Sequence, residues 1–170
     1  MYSIEPPHAT CHTLHSLGDF DKSPTSTYAA DRSGGVHTSD TRLRRCGWAC
    51  VQIEWASGSP VIVAVRAGNL PGPVQSVSRA EAYAIWVLFQ TLPKVPKVVS
   101  DCLSVCKRIW KLPRARSVLS FTPVSNLDDL ISNILEDSML HSCFPVLLCV
   151  NSHLKPSEYA SCDNWKDYVS

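Results

Sequence analysis

Two short apolar runs that each stop at an aspartate, with a long breaker-free helix between them, constrain this chain more than any other feature. The first is Ser26-Thr27-Tyr28-Ala29-Ala30, ending at Asp31; the second is Val95-Pro96-Lys97-Val98-Val99-Ser100, ending at Asp101. Between them Arg79 to Phe89 is rich in alanine and free of Gly and Pro, with Ser78 available to cap its first amides. Strands and helices in this order predict an α/β domain, in which strand ends gather polar residues along one edge of the sheet. Gly47 to Trp55 and Val61 to Val65 read as two further strands. Ser57-Gly58-Ser59-Pro60 between them is a hairpin turn, so antiparallel pairing is expected. Cys102 to Trp110 and Asn126 to Leu140 show helical spacing of apolar residues, and Phe144 to Val150 is a continuous apolar strand suited to burial on both faces.

The chain has 170 residues, 45% of them hydrophobic, enough for one core and one domain. Residues 1–24 mix Pro, His, Ser and Thr without periodicity and read as an irregular leader; 25–170 form the domain. A formal charge of +1 excludes a strongly basic tail and an acidic disordered chain, so a polyanion would have to be held locally. No stretch approaches the roughly 18 apolar residues that cross a bilayer, and no secretion signal is seen, which leads us to expect an intracellular protein that does not engage membranes. The eight cysteines sit singly or four apart, several within apolar runs, and read as small buried thiols of a reducing compartment. His8, His12 and His15 have no helical pattern to support a metal site, and zinc is not expected.

Asp31 and Asp101 are joined by Glu81, in the first turns of the helix before the Asp101 strand, and by Asp167, beyond the last strand. Four carboxylates from separate segments suit two hard divalent cations, which take oxygen ligands, and point to phosphoryl-transfer hydrolysis. Order and local context add to this. Tyr28-Ala29-Ala30-Asp31-Arg32-Ser33, Ser78-Arg79-Ala80-Glu81-Ala82-Tyr83-Ala84, Val98-Val99-Ser100-Asp101-Cys102-Leu103-Ser104-Val105 and Val150-Asn151-Ser152-His153 resemble, in this order, segments of the ribonuclease H type 1 family. Gly47-Trp48-Ala49 resembles the opening of its second strand, and Pro123 to Asp128 the entry to a later helix; the resemblance covers about 25–170.

The resemblance implies an α/β fold, a ribonuclease H-like five-stranded mixed sheet with helices on both faces, and cleavage of the RNA strand of RNA–DNA hybrids with Mg²⁺ or Mn²⁺. It makes Asp31, Glu81, Asp101 and Asp167 the metal-binding carboxylates and His153 a mobile residue that moves a proton or releases product. Gly34 and Gly35 would let backbone approach the minor groove, where the 2′-hydroxyl marks RNA. Asp163 competes with Asp167 for the fourth ligand position, since the family places an asparagine four residues before its last aspartate. Arg32 stands where the family usually has glycine, which alters the turn beside Asp31 while adding a charge suited to phosphate; Asn151 replaces a basic residue. Only three residues follow Asp167, where the family continues a full helix, so the resemblance suggests a retroelement-derived or C-terminally truncated member. A reverse transcriptase partner is compatible with such an origin.

Lys107, Arg108, Lys111, Arg114 and Arg116 form a concentrated basic cluster without an intervening acid, read as a phosphate-binding surface. Trp48, Trp55 and Trp86 read as packing residues, while Trp110 adjoins this cluster. Two function classes follow: an active hybrid nuclease, or a nucleic-acid-binding module with weak or no catalysis.

Overall fold

A computed structural model of the chain describes residues 15–21, 26–35, 37, 39–40, 43–92, 97–112, 127–142, 144 and 146–150. Within them a mixed sheet is ordered β1-β4-β3-β2-β5-β6. Its strands are β1 (His15–Leu17), β2 (Thr27–Ser33), β3 (Gly47–Ala56), β4 (Ser59–Asn69), β5 (Val98–Ser100) and β6 (Leu147–Cys149). β1 to β4 pair antiparallel where they adjoin, and β2–β5 and β5–β6 are parallel. The helices are α1 (Val77–Thr91), α2 (Leu103–Ile109) and α3 (Asp128–His141).

The sheet has six strands where the sequence reading expects five, and the extra one comes from the supposed leader. β1 pairs with β4 through His15↔Ala67 and Leu17↔Val65. Gly18 then turns at φ +64, where a Cβ would lie 2.3 Å from the Val63 carbonyl oxygen. Phe20 is buried beneath Arg66, and Asp21 bonds to Gln52. Residues 15–21 therefore belong to the domain. A three-residue edge strand held by backbone bonds leaves no hydrophobic period to read.

Local chemistry sets the other boundaries. Ser57 and Gly58, at φ 53 and 81, form a two-residue turn between the paired Ala56 and Ser59, so Ser59 and Pro60 belong to β4 rather than to the turn. The cap of α1 is Ser76, not Ser78: its hydroxyl accepts from the Arg79 amide at 3.2 Å. Gln75 fastens the loop ahead of it, accepting from the Cys46 amide and donating to the Leu70 and Gly72 carbonyls.

The main core lies between the sheet and the helices. Tyr28, Ala30, Cys50, Val98 and Leu147 meet Ile85, Leu88 and Phe89 of α1, Val105 and Ile109 of α2, and Ile131, Ile134 and Leu135 of α3. A smaller cluster on the opposite face joins Ala29, Val99 and Val150. All three described helices share the first face; the expectation of a helix on the second falls on the chain after Val150, outside the described residues. Cys46, Cys50, Cys102 and Cys106 are buried free thiols, in keeping with a packing role. Among the described residues no helix is long and apolar enough to cross a membrane.

Candidate active site

The parallel β2–β5 ladder aligns Tyr28 with Val98 and Ala29 with Val99. Continued past the ladder, that register faces Asp31 with Asp101, so neighbouring parallel strands deliver two carboxylates to the same level. Asp31 lies within β2, which continues two residues further to Ser33, because β3 pairs as far as Ser33↔Gly47. Glu81 comes from the first turns of α1, on the buried stripe that continues through Ile85 and Phe89. One carboxylate oxygen from each of Asp31, Glu81 and Asp101 lies within 4.8 Å of the others.

Glu81 is completely buried. The Ser100 hydroxyl donates to its Oε1, and the same hydroxyl oxygen accepts from the Cys102 amide at 3.1 Å, so the start of the β5–α2 connection orients the carboxylate. Loss of hydration raises the Glu81 pKa to about 7. The Ser100 hydrogen bond and the charge of Arg32 oppose that rise, whereas Asp101 and Asp31 reinforce it. Ser100 escaped the sequence reading as a site residue; the only available signal was its place immediately before Asp101.

Arg32 fills the position where a glycine was expected. Strand alternation puts it on the same face as Tyr28 and Ala30, toward the helices. Its Nη1 bonds to Asp101 Oδ1 and reaches Glu81 Oε2 at 3.5 Å, while its own amide donates to Asp31 Oδ1 at 2.7 Å. Burial works against the guanidinium charge, but the Asp101 hydrogen bond and the charges of Glu81 and Asp101 outweigh it and raise the Arg32 pKa. The donor set is chemically suited to a hard divalent cation: three carboxylates converge, and the cluster already draws a cationic group into itself.

A groove of about 430 Å³ opens beside these acids, lined by Asp31, Arg32, Ser33, Trp48, Asn69 and the small residues Gly47, Ala49, Ala67 and Gly68. Trp48 is packing, as expected: it is buried, donates Nε1–H to the Asn69 carbonyl and meets Tyr83 edge-on. Gly34 and Gly35 follow directly on Ser33, the last residue of β2. Gly35 needs to be glycine, since it sits at φ +69 with Arg45 O 2.1 Å from where a Cβ would stand.

The basic cluster divides. Arg108 bonds to the buried carboxylate of Asp128, anchoring α2 to the start of α3. Lys107 and Lys111 are exposed at the end of α2, and half-exposed Trp110 donates to the Leu147 carbonyl at 3.1 Å. Arg114, Arg116, His153, Asp163 and Asp167 lie outside the described residues.

No family model and no curated relative matches this sequence. Solved structures do resemble its fold. The solution structure of the PFV RNase H domain superposes with a TM-score of 0.59 at 14% identity, over 81% of this chain and 87% of that one. Native prototype foamy virus protease-reverse transcriptase gives 0.59 at 15% identity, over 91% of this chain and 22% of that one. The complex of the foamy viral protease-reverse transcriptase with RNA/DNA hybrid gives 0.57 at 14% identity, over 89% of this chain and 21% of that one. The chain thus has the α/β fold of an RNase H domain and spans about a fifth of either multidomain protein.

Proposed function

We propose that the protein is an endonuclease hydrolysing the RNA strand of RNA–DNA hybrids, with Asp31, Glu81 and Asp101 holding divalent Mg²⁺ or Mn²⁺. The observation that carries this reading is the meeting of three carboxylates from β2, α1 and the end of β5 on an RNase H fold. Metal bound there would activate a water and stabilise the leaving 3′ oxygen. The protein's own contributions are positional. Ser100 fixes the Glu81 carboxylate, the β2–β5 register fixes the two aspartates, and the groove beside Asp31 has a floor of small residues that admits a nucleic-acid backbone. In this proposal Asp167 or Asp163 supplies a fourth carboxylate, His153 moves a proton or releases product, and Gly34 and Gly35 approach the minor groove. Lys107 and Lys111, with Arg114 and Arg116, hold phosphates without reading sequence. A retroelement origin and a reverse transcriptase partner belong to the same reading.

Arg32 favours a second reading, a binding module that does not cleave, because its guanidinium already occupies carboxylates that a metal would use. One assay separates the two. Labelled RNA–DNA hybrid, duplex DNA and single strands are incubated with the protein and with Asp101→Asn at increasing Mg²⁺ or Mn²⁺. The nuclease reading expects metal-dependent cuts in the RNA of hybrid alone, lost in Asp101→Asn. Binding of hybrid without cleavage at any metal concentration would establish the second.

A further inference from the structure

We propose that Arg32 is a displaceable internal counter-ion: it holds Glu81 and Asp101 when the cluster carries no metal, and is handed to a phosphate of the bound polynucleotide when a divalent cation takes those carboxylates. The inference rests on the nuclease reading and assigns to it a device that ties metal binding to substrate grip. Arg32 Nη1 engages Asp101 Oδ1 and Glu81 Oε2, atoms of two of the three carboxylates that converge here. A guanidinium and a divalent cation drawn to the same two carboxylates are like charges contending for one small space, so the two compete.

The resting contact also leaves Arg32 incompletely used. One nitrogen makes both acid contacts, and the buried Nε has no hydrogen-bond partner among the described residues. Guanidinium binds phosphate best through a two-nitrogen fork, which this posture does not employ. A route to a phosphate is present. The side chain is 22% exposed and lines the groove beside Asp31, Gly47 and Asn69, where a backbone crossing the acids would lie. Because Arg32 touches both the acids and the groove, the exchange calls for rotation about its side-chain bonds rather than movement of β2.

Reciprocity makes the proposal testable without catalysis: a residue released by metal must weaken metal binding and strengthen substrate binding only after release. Mn²⁺ affinity is read from the electron paramagnetic resonance signal of the free ion. The proteins are the parent, Arg32→Ala and Arg32→Gln, the last keeping a polar side chain with N–H donors but no charge should the alanine variant fold poorly. Both uncharged variants are expected to bind Mn²⁺ at least about fivefold more tightly than the parent. Affinity for a labelled hybrid is then measured by anisotropy in EDTA and in Ca²⁺. Parent and variants should match in EDTA, where the arginine is engaged, and the variants should bind about fivefold more weakly in Ca²⁺. Unchanged Mn²⁺ affinity in the uncharged variants, or an equal loss of hybrid affinity in EDTA and Ca²⁺, overturns the role of Arg32 while leaving the metal site standing. Absence of Mn²⁺ binding from the parent and both variants overturns the nuclease reading along with it.

Discussion

Two buried polar clusters sit on this sheet and have been resolved in opposite ways. On the interior strand β3, Gln52 is fully buried beside the register shift between Gln52 and Ile53. Its amide donates to Asp21 Oδ1 and, at 2.8 Å, to Ser26 Oγ, while its carbonyl accepts from the Asp21 amide at 3.0 Å. Every group of that neutral amide is used, and the chain before β2 is tied to the sheet as a result. At the acidic end, equally buried Glu81 shares its surroundings with Asp31 and Asp101 and with one guanidinium, so that among the described residues charge is left uncompensated and one arginine donor unpaired. A closed polar network rigidifies a fold, whereas an open, like-charged one is costly and persists where something else is to be bound.

Substitution should break the comparison most sharply at Glu81. Glu81→Gln keeps shape and the Ser100 partner while removing the charge, so hybrid cleavage should fall by about three orders of magnitude, on the order of 4 kcal/mol in barrier. Stability at pH 8 should rise in the same variant, measured by urea unfolding without metal; a less stable variant would mean that the charge is compensated after all.

The next effect is on pH. Folding raises the Glu81 pKa from 4.5 to about 7, so the folded chain holds the proton more tightly than the unfolded one. Its stabilising contribution is fully present below pH 4.5 and is lost as pH rises toward 7, a change of about 3 kcal/mol in metal-free protein. Unfolding at pH 4.5 and pH 8 in EDTA measures it, with Glu81→Gln expected to flatten the difference. A parent whose stability is level across this range would contradict the burial argument.

At the closed cluster, Gln52→Ala should destabilise the fold by about 2 kcal/mol, through lost volume and through unpaired Asp21 and Ser26 groups, with no pH dependence of its own. Hydrogen exchange at residues 15–21 should quicken in the same variant. Smallest is the solvent-side charge: reversing Lys107 and Lys111 to Glu should weaken hybrid binding about tenfold and reduce the salt slope by about 2, measured by anisotropy against salt. Arg108, committed to Asp128, is expected to change stability more than salt slope when replaced by Ala.

The sequence by itself determined the elements with strong local signals. α1 announces itself by alanine content and freedom from breakers, β3 and β4 by apolar runs around a turn at Ser57-Gly58-Ser59-Pro60, and Asp31 and Asp101 by their place at the end of short apolar runs. Tertiary structure alone decided what depends on partners far along the chain. β1 exists because β4 offers it an edge, Arg108 lost its place in a uniform basic patch because Asp128 is beside it, and Ser100 became part of the site because α1 brings Glu81 over it. Arg32 shows the division within one residue. Its charge next to Asp31 is plain in the sequence, but its engagement of two acids 49 and 69 residues away is not. Periodicity reports which face of an element is apolar; only packing brings distant charges within bonding distance, and there the low dielectric of the interior makes their pairing matter.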